Sequence, residues 1–254
     1  MPTNVVTVTT TSSDPLGIDL SWTTLYDALA NSALQPGATG TQFTLVEDSE
    51  APSLNFRLVL TGTGLTYSGN ELTGGTISGL EILDQTNDLL ASYSNFNIAA
   101  AALSSAINTY ASSNDTDASA LNAIFLATSG QQYSYDETGN AADTLQGGAV
   151  SDTLDAGGTS ALIGGSGAET FDYATGDGEV TISNFAPGQG DVIDLTAAGI
   201  ADFAEIQSHA SVASGSTIIN FGSNQVIDLI GFTSPLTASG FSRRSFGDTI
   251  TPME

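Results

Sequence analysis

The stretch "GGAVSDTLDAGGTSALIGGSGAETFDY", residues 147–173, decides how the second half of the chain is read. Its glycines return at near-regular intervals, as Gly147-Gly148, Gly157-Gly158, then Gly164-Gly165 with Gly167. Short triplets lie between them. Asp143-Thr144-Leu145 recurs nine residues on as Asp152-Thr153-Leu154, Ala161-Leu162-Ile163 follows after nine more, and Glu169-Thr170-Phe171 after eight. A flexible linker has no reason to place an apolar residue two after an acid at a fixed period. A narrow coil does: its turns need positive φ or close backbone approach, hence glycine, and each very short strand buries one apolar side chain. The spacing predicts a parallel β-roll with Leu145, Leu154, Ile163 and Phe171 pointing inward. The acids then stand at the turn ends, where carboxylates and turn carbonyls of neighbouring coils can enclose Ca²⁺.

The pattern is degenerate. Val150 replaces a glycine, Ala161 and Glu169 replace ligand aspartates, and the last interval is one residue short. Sites between coils pair residues two repeats apart, so Asp143 would face Ala161 and Asp152 would face the Glu169 region. Neither pair is intact, which leaves one or two calcium ions at most. Asp172, Asp177, Asp191 and Asp194 are further candidates, and a solvated acidic strand face accounts for them equally well.

Composition points the same way. The 254 residues carry 28 acids against three bases (Arg57, Arg243 and Arg244, with no lysine), a formal charge of −25. Nucleic acid is excluded as a partner, since affinity for phosphate needs Lys and Arg, and adsorption to anionic lipid is disfavoured. So much carboxylate repels itself in a compact state unless cations neutralise part of it. Cysteine is absent, which removes disulfides, thiolate metal sites and cysteine nucleophiles together. The first twenty residues lack the basic and apolar regions of a secretory signal peptide, and no apolar run is long enough to insert in a membrane.

Upstream of the repeats the pattern is mixed. Residues 4–11 read as a strand and 21–34 as a helix capped by Ser21, with Trp22, Leu25, Ala28 and Leu29 on one face. Strands and turns fill 42–83. Two helices are expected over 97–112, with Ile98, Ala101, Ala102 and Ile107 on one side, and over 117–128. The fold class expected is therefore mainly β with some α: an α+β domain at 1–138, a short degenerate β-roll with a β-rich C-terminal cap at 139–241, and a tail at 242–254.

From Asp143 to Phe241 the chain resembles the RTX family, the calcium-binding proteins exported by type I secretion. The segments "ETFDYATGDGEVTISNFAPGQGDVIDLTAAGI" and "STIINFGSNQVIDLIGFTSPLTASGF" are similar to the region that caps the roll in that family and precedes or contains its secretion signal. The resemblance implies bound Ca²⁺, recognition by a type I secretion apparatus through an uncleaved C-terminal signal, and an extracellular or cell-surface location. A weaker similarity links "GLTYSGNELTGGTISGLEIL" and the two helices after it to secreted haemophores, with Tyr67 at the place of a haem-ligating tyrosine. The single histidine, His209, lies in the other half, and a structural aromatic at a hairpin end is the competing reading of Tyr67.

No nucleophile elbow, zinc-protease motif or P-loop occurs, so no enzyme activity is expected. Arg243 and Arg244 stand together in the tail of an otherwise acidic chain. They suit bidentate pairing with carboxylates on another copy, within a filament or lattice, or else belong to the secretion signal. The sequence thus points to a secreted, calcium-associated structural protein of the cell surface or extracellular matrix, with a haemophore-like carrier as the alternative.

Overall fold

The computed structural model describes residues 7–10, 19–35, 37–47, 57–69, 71–84, 86–114, 116–125, 132–133, 144–149, 151–158 and 160–242. Asp143, Arg243 and Arg244 lie outside the described residues. The fold is mixed α/β and mostly β.

Strands β1 (Thr7–Thr10) and β2 (Asp19–Leu20) precede helix α1 (Trp22–Ala30). Ser21 caps α1 by accepting from the Thr24 N–H, and Trp22, Leu25, Ala28 and Leu29 are all buried. The expected helix through residue 34 stops early. Asn31 ends it, the Ser32 hydroxyl donates back to the Ala28 carbonyl, and β3 (Ser32–Leu34) leaves to pair with the next strand. Four antiparallel strands follow, β4 (Gln42–Glu47), β5 (Arg57–Ser68), β6 (Glu71–Leu83) and β7 (Leu89–Ala99).

Helix α2 (Ala100–Ser112) begins later than its sequence suggests, because Ile98 is still paired with Ile77 of β6. Its buried face is Ala100, Leu103, Ala106 and Tyr110, while Ala101 and Ala102 are exposed, so the expected face was rotated. The large side chains Leu103 and Tyr110 decide which way the helix turns, since they remove the most apolar surface from water. Helix α3 (Ser119–Phe125) buries Leu121 and Phe125. An aromatic cluster of Trp22, Tyr26, Tyr93, Phe96 and Phe125 sits among these helices and β7.

After β8 (Gln132–Tyr133) the repeats become strands of three residues: β9 (Thr144–Gln146), β10 (Thr153–Asp155), β11 (Ala161–Ile163) and β12 (Thr170–Asp172). They alternate between two sheets. β9 pairs in parallel with β11, and β10 with β12. The middle residue of each is buried: Leu145, Leu154, Leu162 and Phe171, exposed by at most 1%. Leu162, not Ile163, therefore holds the inward position, in register with Leu145. Three successive apolar residues left the phase ambiguous, and the short interval falls before Leu162. Ser160, not Ala161, then occupies the place of an acid, and its hydroxyl donates to the Ala156 carbonyl.

The same alternation continues through β13 (Glu179–Ser183) and β14 (Val192–Asp194). Helix α4 (Phe203–His209), capped by Asp202, stands among the strands of this β-rich C-terminal region. The chain closes with β15 (Ala210–Ala213), β16 (Ser216–Gly222), β17 (Gln225–Ile230) and β18 (Phe241–Ser242). One sheet of eleven strands runs β18-β14-β12-β10-β8-β1-β7-β6-β5-β4-β3, and one of seven runs β15-β16-β17-β13-β11-β9-β2. Both cross residue 139. β1 and β8 join the antiparallel sheet to β10, and β2 lies on β9.

Candidate metal centre

Because the triplet strands alternate between two sheets, the turns gather at two edges. At the first edge, residues 147–149, 164–168 and 184–190 belong to the turns that lead into β10, β12 and β14. Asp152, Glu169 and Asp191 immediately precede those strands. Thr153 stands opposite Thr170 and Thr170 opposite Val192, so the three acids form one column along the stack. Side chains two apart share a face of a strand, which aims each acid inward with Leu154, Phe171 and Ile193. Their exposures are 2%, 1% and 1%. For carboxylates, which are almost never fully buried unless paired, this decides the candidate site.

Asp191 is satisfied. Its Oδ1 accepts from the Glu169 N–H (3.0 Å) and its Oδ2 from the Ala186 N–H (2.8 Å). Asp152 is half satisfied, with Oδ2 accepting from the Gly148 N–H and Oδ1 buried without a partner. Neither Glu169 oxygen has a hydrogen-bond partner of good geometry among the described residues, although the Gly167 N–H is near enough to oppose the upward push on its carboxyl. Burial pushes the Asp152 carboxyl up to about 6 against the pull of the Gly148 N–H. Glu169 is pushed up further, first by burial, then by the neighbouring Asp191 and Asp152 carboxylates. Among the described residues no arginine reaches them: Arg57, the only one, bonds Asn87 in the turn between β6 and β7.

Glycine brings backbone against these acids. A Cβ on Gly147 would lie 3.1 Å from Asp152 Oδ2 and 3.4 Å from Glu169 Cγ, and one on Gly165 would collide with the Gly148 oxygen. Successive turns are clamped by Gly147 N–H donating to Ile163 O (2.9 Å) and Ser166 N–H to Gly148 O (2.9 Å). Among the described residues no three acidic or histidine side chains converge as a ready cation cage. The column instead offers carboxylates in successive coils, with turn backbone between them.

At the opposite edge, Asp155, Asp172 and Asp194 end the same three strands and stand in register. Sequence reading missed Asp155, although the recurring Thr-Leu-Asp and Thr-Phe-Asp carried the signal. Asp155 Oδ1 accepts from the Gly157 N–H, and Asp194 Oδ1 from the Thr196 N–H and hydroxyl. Asp177 lies in the turn after β12, where its Oδ2 accepts from the Ala174 N–H (2.6 Å); burial chiefly, with the Asp155 charge added, pushes it up to about 6. The candidates thus sort into two groups. Asp152, Glu169 and Asp191 come together inside; Asp172, Asp177 and Asp194 gather with Asp155 at the far edge, where Asp155, Asp177 and Asp194 accept from backbone N–H groups close by in the chain.

Trp22 was expected on the apolar face of α1, but its link to the repeats was not. Its indole Nε1–H donates to the Gly147 carbonyl (3.3 Å), and its backbone N–H donates to Gln146 Oε1 (3.1 Å). The N-terminal helix is thereby fastened to the turn that borders the acid column. Tyr67 is half-buried; its hydroxyl donates to the Thr39 carbonyl (2.7 Å) and its ring packs edge-on against Phe43. His209 is exposed, its ring 5.4 Å from that of Phe221. Among the described residues no helix is long and apolar enough to cross a membrane. Comparison with known proteins finds no family model that matches this chain and no curated protein similar to it.

Proposed function

We propose that this chain is a secreted, calcium-associated structural protein of the cell surface or extracellular matrix, and that residues 139–241 form a short degenerate parallel β-roll with a β-rich cap. The observation that carries the reading is the Asp152–Glu169–Asp191 column, with three buried carboxylate oxygens that have no hydrogen-bond partner of good geometry among the described residues. A buried carboxylate needs a proton, a counter-charge or a metal. Ca²⁺ suits the donor set, being hard and oxygen-seeking. Asp152 and Glu169 would hold it, with turn carbonyls from 147–148 and 164–165. The ion would supply charge neutralisation and a cross-link between successive coils, not catalysis.

Its role is then thermodynamic. An ion that binds only the folded chain stabilises it by about 2.7 kcal/mol per site at a hundredfold excess over Kd. In cytosol, where free calcium is scarce, the acidic half stays loosely folded and competent for type I export; outside, millimolar calcium completes it. Arg243 and Arg244 would then pair with carboxylates of neighbouring copies in a filament or lattice. Melting temperature measured in millimolar Ca²⁺ and in chelator tests the core of this reading. A rise with calcium that vanishes in Glu169→Gln is expected, and equal melting in both conditions overturns it.

A further inference from the structure

Helix α2 does not close fully over the N-terminal sheet. Between them lies a cavity of about 120 Å³ that opens at the surface, with Phe43, Leu60, Leu72, Leu103 and Ile107 among its walls. Interiors are close-packed, and voids of this size are few in a domain. Glu71, Ser104 and Asn108 line the cavity and also border a shallower groove of about 520 Å³ that runs on past Thr73 and Thr109. Glu71 is exposed, and the side chains of Ser104 and Asn108 have no hydrogen-bond partner among the described residues.

We infer that this cavity binds a small amphiphile with an apolar group of roughly six carbons and a cationic, hydrogen-bond-donating head. Size sets the tail: a dry cavity of about 150 Å³ with Leu, Ile and Phe walls takes one benzene ring, so the enclosed part holds about six carbons and no macrocycle. Charge sets the head. The Glu71 carboxylate and the −25 of the whole chain repel carboxylate, sulfate and phosphate heads and attract an ammonium. Ser104 and Asn108 supply the convergent polar groups that orient a ligand at the mouth of an apolar site. None of the acid-column residues lines this cavity, so the inference stands apart from the calcium reading.

The test is calorimetric titration of the full chain with hexylammonium, hexanol and hexanoate. Hexylammonium binds saturably, hexanol less tightly, and hexanoate not at all. Ile107→Phe fills the cavity and removes binding of the first two at least tenfold. Glu71→Gln, a surface change that leaves the fold intact, brings hexylammonium to the level of hexanol, a loss of roughly threefold on the scale of an exposed charge pair. Absence of saturable binding by hexylammonium overturns the proposal, as does hexanoate binding as tightly, or hexylammonium losing nothing in Glu71→Gln.

Discussion

The antiparallel half and the repeat half of this molecule bury side chains by opposite means. Strands β5, β6 and β7 run to 12, 13 and 11 residues, and helices lie on them, so Leu58, Leu60, Ile77, Leu80 and Tyr93 meet a deep apolar core. The repeat strands have three residues each and bury one apolar side chain apiece, with a carboxylate two positions before it in β10, β12 and β14. The first half stabilises itself by area removed from water. The second narrows its core to two columns, Leu145–Leu162–Ile182 and Leu154–Phe171–Ile193, and buries carboxylates beside the latter. On the proposed reading, what differs is what completes the core: carbon in one half, a proton or a cation in the other.

The largest effect should come from emptying one of these narrow columns. Leu154→Ala deletes a fully buried side chain from a coil that has little around it to collapse inward. A loss of about 2–5 kcal/mol is expected, read as a lower denaturation midpoint, and the loss should lie at the upper end in chelator. If Leu154→Ala is no more harmful than Leu72→Ala, a half-buried position at the N-terminal cavity, the contrast between the two halves is false.

Next comes the charge itself. Glu169→Gln keeps the shape of the side chain and turns an orphaned acceptor into a donor facing two carboxylates. In chelator at neutral pH the variant should gain about 1–3 kcal/mol, while losing its response to calcium. A variant less stable than the parent in chelator would mean that Glu169 has a partner the geometry does not reveal.

Protons should substitute for the cation. The folded-state values of Asp152 and Asp177 are raised from an ordinary 3.8 to about 6, and Glu169 is raised as well. A raised value means that the folded chain holds the proton more tightly than the unfolded chain. Stability from these groups is complete below about pH 4 and is lost as pH rises through about 6, and higher for Glu169. Other acids lose favourable hydrogen bonds at the acidic extreme, so the informative window is pH 5 to 8. There the chelated protein should melt at falling temperature as pH rises. Calcium should flatten the slope, because the ion displaces the proton. A chelated protein that melts higher at pH 8 than at pH 5 contradicts the column as drawn.

Much of the repeat half was legible because its physics is local. A glycine turn, an acid and an apolar residue recur within nine positions, and Leu145, Leu154 and Phe171 lie where that period puts them. The phase slipped where Ala161-Leu162-Ile163 offered three apolar residues in a row, and burial alone distinguishes the middle one. Asp191 was legible as an acid but not as the third member of the column, since the turn "NFAPGQG" before it is longer than its predecessors. In the antiparallel half, helix and strand were found but their boundaries moved. Ser32–Leu34 and Ile98 have side chains that either element accepts, and strand pairing decides them. Two-residue strands such as β2 and β8 have no periodicity to read. They nevertheless join the two halves.

That junction carries the smallest and most discriminating prediction. Trp22 is the only tryptophan, it is 2% exposed, and its indole bonds a carbonyl 125 residues away. Trp22→Phe keeps most of the apolar contact with Tyr26 and Phe125 and deletes that one hydrogen bond, at a cost of about 1 kcal/mol. If the halves were independent, the loss would be the same with or without calcium. Gly147, however, packs against both Asp152 and Glu169, so a cation held between those acids would also fix the carbonyl that Trp22 grips. Trp22→Phe should then weaken calcium binding as well, and calcium should shift the emission of Trp22 in the parent chain. By linkage the two effects must agree in size, since whatever calcium does to the docking of α1, docking must do to calcium. Unchanged emission on calcium saturation, together with an unchanged calcium affinity in Trp22→Phe, would show that the fastening is mechanical and that the antiparallel half does not sense the column.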